Sequence, residues 1–185
     1  FCAKTAASGE TNEGKMPDFL LGVKMYRKTV WLVFAVAAAG GCASLLAQYV
    51  WGMNPCVMCI QQRLALVGIA LVSPLCLLLP LAARWARTAA AAVISLPALF
   101  GLYIAVKQIH LQSLPLLEQP PCGAPWTFRL RGAPLFDWYE PLIRGTGACG
   151  EVYRVLGVPL AWWSAVFFSV VLVVLWAMWL KTRNV

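Results

Sequence analysis

The sequence predicts an all-α membrane protein, a bundle of four transmembrane helices with two external loops that carry redox cysteines. Three observations lead there. The chain has 185 residues, 61% of them hydrophobic and only 12% charged, too apolar for a soluble domain of this size. Four stretches, Thr29–Val50, Leu64–Ala83, Thr88–Val106 and Leu160–Leu180, contain no Asp, Glu, Lys or Arg. At about 1.5 Å rise per residue each is long enough to cross a bilayer. The basic residues also cluster at alternate ends of these stretches, as the positive-inside rule requires.

Residues 1–24 differ from the rest of the chain. They are dominated by Ala, Ser, Gly, Thr, Asn, Glu and Lys, with no sustained helical period and no secretory apolar core. Met25, just before Tyr26-Arg27-Lys28, is a natural start for a membrane protein, and Phe1 is not an initiator. The expectation is a flexible extension or expression remnant over residues 1–24 and one membrane domain over residues 25–185.

Lys24, Arg27 and Lys28 precede the first span, Arg84 and Arg87 fill the turn between the second and third, and Lys181 and Arg183 follow the fourth. These clusters share one side, which is therefore cytoplasmic, as are both termini. The loop Trp51–Met58 has no Lys or Arg, and the longer loop after the third span dilutes its basic residues among acids. The formal charge of +8 is thus spent on membrane flanks and is no nucleic-acid signal. Pro74, Pro80 and Pro97 lie in or near the middle spans, where neighbouring helices can re-satisfy the freed carbonyls.

Seven cysteines divide by this topology. Cys42 and Cys76 fall inside spans, where a thiol behaves as a small apolar group, and Cys2 is in the extension. Cys56, Cys59, Cys122 and Cys149 are all external, where disulfides persist. Two redox pairs are expected, although three pairings are formally possible. A purely structural role suits the vicinal Cys56-Val-Met-Cys59 pair poorly, because so small a ring gains little chain entropy. Zinc ribbons present two such knuckles, whereas Cys122 and Cys149 have 26 residues between them, so no metal is expected. If the second span starts near Cys56, Cys59 lies in its first turn, where free N–H groups and the helix dipole stabilise a thiolate. Arg63, at i+4 from Cys59, shares its helix face and can sit beside that thiolate or an electron-accepting carbonyl. Otherwise it is an interfacial anchor.

Cys56-Val-Met-Cys59-Ile-Gln-Gln-Arg63, Pro120-Pro121-Cys122-Gly123 and Arg144-Gly-Thr-Gly-Ala-Cys149-Gly-Glu151 together resemble the DsbB family over residues 25–185. Those are bacterial inner-membrane proteins that oxidise the periplasmic thiol oxidase DsbA and pass the electrons to quinone. The resemblance implies that both cysteine loops are periplasmic. It implies that the partner attacks Cys122, that the released Cys149 attacks Cys56, and that Cys59 passes electrons to a bound quinone (ubiquinone or menaquinone) supported by Arg63. His110, the only histidine, is similar in position to the family's quinone-side histidine region and joins Arg63 and Cys59 as an expected quinone contact. Where the family carries a tryptophan and then Leu-Gly-Leu and proline, this chain has Tyr153, Leu156-Gly157-Val158 and Pro159, with one residue fewer.

Leu135–Ile143 mixes aromatic and acidic residues and reads as a segment in the membrane interface, with Trp138 and Tyr139 at headgroup level. Two other functions stay open. A vitamin K epoxide reductase type enzyme also has a helix bundle with a CxxC, but places its CxxC late and its loop cysteines early. A four-span scaffold or metal-binding protein would have structural disulfides only.

Overall fold

A computed structural model describes residues 18–115, 117–119 and 123–182. Four helices are long and apolar enough to cross a membrane: α1 (Asp18–Tyr49), α2 (Val57–Leu77), α3 (Arg84–Ser113) and α6 (Leu160–Thr182). Between α3 and α6 come the short α4 (Trp126–Arg129) and α5 (Phe136–Ile143). A small hairpin, β1 (Arg154–Val155) with β2 (Val158–Pro159), leads into α6. The long helices close a ring in which α1 packs on α2, α2 on α3, α3 on α6 and α6 on α1.

The helices outrun the charge-free stretches. α1 starts at Asp18, well before Thr29 and before the expected domain boundary at Met25, so residues 18–24 belong to it. Its inward face, Tyr26, Val30, Val33 and Ala37, recurs every three or four residues, while Lys24, Arg27 and Lys28 point outward. Helical hydrogen bonding needs no apolar surroundings, so a span flanked by cations can continue past them. The expectation for residues 1–17 lies outside the described residues.

α2 begins at Val57 because Cys56 caps it, and it ends at Leu77 instead of reaching Ala83. Pro80 has no N–H to donate and its ring would meet the carbonyl one turn back, so the chain turns there. α3 continues to Ser113, turning Lys107 outward and Gln108 inward.

The core is built from small and branched residues: Ala65 and Ile69 of α2, Ala90, Ile94 and Ala98 of α3, and Phe168, Val171 and Leu175 of α6. Gly101 lets the Phe168 ring lie against the α3 backbone, in the space a Cβ would take. Outward-facing Leu32, Leu71, Leu96 and Val173 present an apolar exterior suited to lipid.

Each end of the bundle is tied by hydrogen bonds. At the end rich in cations, Tyr26 donates to the Arg87 carbonyl at 3.0 Å and the Trp179 indole donates to Thr88 Oγ1 at 2.9 Å. At the opposite end, Gln48 donates to the Arg144 carbonyl and Tyr49 to the Pro141 carbonyl, both at 2.9 Å. These bonds fix the end of α5 over α1. Trp138 on α5 is 85% exposed while Ile143 is buried, an amphipathic pattern that suits an interfacial helix.

Candidate active site

Cys56 and Cys59 are free cysteines whose sulfurs stand 2.7 Å apart. Their geometry comes from the start of α2. Cys56 is extended, with φ −80° and ψ 169°, and its sulfur accepts the Cys59 backbone N–H at 3.2 Å. Its carbonyl accepts the Ile60 N–H, the first turn of the helix. A thiol thus stands where Ser or Asp usually caps, satisfying an otherwise orphaned donor. Cys59 lies in the first turn, where the helix terminus favours negative charge. The Cys56 thiol is pushed well up from its ordinary value, first by the hydrogen bond shared with Cys59 and then by burial.

The loop before α2 and the loop before α6 meet edge to edge. Cys56 forms a parallel bridge with Gly147, and the Gly147 N–H donates to the Pro55 carbonyl at 3.2 Å. Asn54 fastens the same junction, donating to Thr146 Oγ1 at 2.9 Å and accepting the Thr146 N–H at 3.0 Å. Gly145 and Gly147 are necessary here, since a Cβ on either would run into the carbonyl oxygen of Pro55 or Asn54. The junction delivers Cys149, held in a disulfide, into one buried cluster with Cys56, Met58, Ile104 and Leu111, against which Cys59 packs. Cys122 lies outside the described residues. Gly147→Ala is expected to force the loops apart and destabilise the protein by about 1–3 kcal/mol, as overpacking does. Thermal unfolding in detergent, compared with wild type, measures it.

Arg63 is 3% exposed, one turn deeper along α2. Its Nε donates to Ser44 Oγ at 2.8 Å and one terminal nitrogen donates to Gln48 Oε1 at 2.7 Å. Longer bonds at 3.3 Å reach the carbonyls of Leu142 and Ser44. The guanidinium therefore ties α2 to α1 and to the end of α5. Among the described residues the one ion pair is Arg144 with Glu140, so no carboxylate neutralises Arg63. A buried cation held by neutral oxygens is costly as structure alone and well suited to charge that develops during a reaction.

His110 stands apart. Its side chain is exposed on the last turn of α3, two residues from Gln108 and on another face. The residue that reaches the cysteines is Gln108, which donates to the Cys59 sulfur at 3.4 Å and the Cys56 sulfur at 3.6 Å. Gln62 donates to the Gln108 side-chain oxygen at 2.7 Å. Neither glutamine stands out as a site residue in the sequence. The available signal was two carboxamides inside or beside apolar spans, which must find partners. Tyr153 and Glu151, from the stretch after Cys149, line a small cavity with Cys56, Cys59, Gln108 and Gln112.

A family model described as Disulfide bond formation protein DsbB matches residues 26–178. The chain belongs to the DsbB family. It is 47% identical to the disulfide bond formation protein B of Neisseria gonorrhoeae, over 86% of this chain and 98% of that one. Identity to the protein of the same description from Neisseria meningitidis serogroup B is 46% over the same shares. With the one from Chromobacterium violaceum it is 34%, over 89% of this chain and 98% of that one. DsbB membership assigns the chain to disulfide bond formation, as a disulfide-forming oxidoreductase with several membrane spans. The surroundings of Cys59 also fit a quinone. A DsbB-type acceptor needs donors for its carbonyl oxygens in an apolar setting, and the buried side chains of Arg63, one turn along α2 from Cys59, and of Gln108, which bonds its sulfur, carry N–H groups.

Proposed function

We propose that this protein is a thiol:quinone oxidoreductase of the bacterial inner membrane that reoxidises a DsbA-like periplasmic thiol oxidase. Both termini are cytoplasmic in this reading, and Cys56, Cys59, Cys122 and Cys149 face the periplasm. A single observation carries it: two free thiols at the first turn of a membrane helix share a buried cluster with the disulfide-bonded Cys149.

The relay balances as three exchanges, each moving two electrons. A thiolate of the partner attacks Cys122 of a Cys122–Cys149 disulfide, giving a mixed disulfide and releasing Cys149. The partner's second thiol then resolves the mixed disulfide, so the partner leaves oxidised and both loop cysteines are reduced. Cys149 next attacks Cys56 of a Cys56–Cys59 disulfide and releases Cys59. Cys122 displaces Cys56 from Cys149, restoring the loop disulfide and leaving Cys56 and Cys59 as thiols. When bound, a quinone (ubiquinone or menaquinone) supplies the acceptor for the two electrons and two protons of that dithiol.

The chain's own residues set up these steps. The zipped loops hold Cys149 in the cluster of Cys56. Cys59 lies in the first turn of α2, where the helix terminus favours a thiolate, so it is the sulfur poised to give up electrons. Arg63 holds positive charge one turn inside the apolar region, where water cannot substitute for it. The exposed aromatic face of α5 keeps the loop on the membrane surface.

A Cys149→Ser variant tests the partner assignment. Without Cys149, Cys122 is expected to accumulate in a mixed disulfide with a periplasmic thiol oxidase, identified by mass spectrometry after non-reducing separation. Absence of any such adduct, with Cys122 reachable by reagent from the cytoplasmic side only, would overturn the scheme.

A further inference from the structure

Arg63 is not the nearest polar side chain to the dithiol. The Gln108 carboxamide bonds both sulfurs, and its own oxygen is occupied by Gln62. We propose that Gln108 is a catalytic residue that stabilises the Cys59 thiolate by hydrogen bonding, and that Gln62 is a positioning residue that sets which way the Gln108 amide faces. Such roles rest on the thiol redox chemistry proposed above, yet they require neither quinone nor partner.

The two ends of a carboxamide have opposite polarity. With the N–H end toward the sulfurs, Gln108 offers two hydrogens to two acceptors; flipped, it would aim oxygen lone pairs at an anion. Gln62 decides between these orientations, because its Nε2 donates to Gln108 Oε1 at 2.7 Å and would meet another N–H after a flip. Gln62 reaches that point because it is at i+3 from Cys59, on the same face of α2, while Gln108 arrives from α3. Both are buried, at 6% and 4% exposure, so their bonds act in a low dielectric and are not exchanged for water.

Among the described residues, Cys56 is the nearest titratable group to Cys59, and few other charged or titratable groups stand near it. Arg63 lies on α2 with it, Glu151 and Tyr153 line the cavity from the loop, and α6 contributes only Leu160 and Ala161 there. A donor aimed at the sulfur from α3 is therefore a large part of what the thiolate meets. A helix-bridging pair with no chemical role would support the fold and leave sulfur reactivity alone.

Reactivity is thus the discriminating measurement. In full-length protein with Cys2, Cys42 and Cys76 replaced by serine and the dithiol kept reduced by a phosphine, iodoacetamide alkylation of Cys59 is followed by peptide mass spectrometry against pH. Gln108→Leu is expected to move the midpoint of that profile upward by about one pH unit, a roughly tenfold loss of thiolate below it. Gln62→Leu is expected to move it in the same direction by about half as much, and to add nothing when Gln108 is already leucine. Thermal unfolding of each variant is recorded in parallel. Wild-type midpoints in both single variants, with lowered thermal stability, would overturn the proposal in favour of a structural bridge. A full Gln62→Leu shift persisting beside Gln108→Leu would overturn the positioning role. Failure of quinone reduction with the alkylation shifts intact would instead count against the oxidoreductase reading alone.

Discussion

Cys59→Ser is expected to abolish quinone reduction entirely, the largest single effect in the molecule. A hydroxyl cannot form the Cys56–Cys59 bond, so no two-electron couple remains at the start of α2, whatever the loops deliver. The loss should be chemical, because Cys59 is itself only partly buried and its sulfur contributes only weak hydrogen bonds to the fold. Cys42 and Cys76 provide the comparison. Cys42 is exposed on the outside of α1, and Cys76 lies seventeen residues further along α2, about 25 Å away at helical rise. Cys42→Ser and Cys76→Ser should leave turnover per folded molecule nearly intact, although burial of the new Cys76→Ser hydroxyl costs about 1–3 kcal/mol unless it finds a partner. Steady-state quinone reduction at equal amounts of folded protein measures all three. Equal losses would mean that folding and not thiol chemistry was being read.

Arg63 carries the second expectation. Its guanidinium uses Ser44, Gln48 and Leu142 as acceptors, with no carboxylate partner among the described residues. In the proposed reaction, Arg63→Ala or Arg63→Met removes charge that would meet negative charge building on an acceptor oxygen. Losing such a donor typically costs about 2.7–4 kcal/mol, roughly a hundred- to a thousand-fold in rate. Arg63→Lys keeps the charge but loses the planar fork that spans Ser44 and Gln48 together, so partial activity with weaker quinone affinity is expected. The same truncations strand four oxygen acceptors on α1 and α5, so thermal stability should fall too. The split between a lost rate and a raised KM, across Lys, Met and Ala at this position, separates chemistry from tethering. Wild-type kinetics in Arg63→Ala would make this residue a tie between helices and leave the start of α2 alone to activate Cys59.

Much of the fold is legible in one dimension because a bilayer punishes charge so heavily. Runs without Asp, Glu, Lys or Arg located four spans, and the cations at alternate ends placed Lys24, Arg87 and Lys181 together, as the bonds of Tyr26 and Trp179 bear out. Helix limits were less legible for the same reason. A charge marks where lipid ends, whereas a helix ends where its hydrogen bonds do, so α1 runs through Lys24 and α3 through Lys107.

His110 and Gln108 show the other limit. A lone histidine stands out in a sequence, but the rotational phase of α3 turns Gln108, Leu111 and Gln112 inward and leaves His110 outside. Residues two apart on a helix lie on different faces, and no composition argument says which face meets the neighbour. The sequence by itself determined the membrane class and the number of spans, since both follow from local apolarity and spacing, while the start of α2 at its Cys56 cap came from the structure. Only the tertiary structure decided that Gln62 would orient Gln108 against the sulfurs, and that Gly147 would zip the second loop onto Cys56. Those contacts join residues 46 to 92 positions apart, and they depend on how helices and loops pack after each has formed.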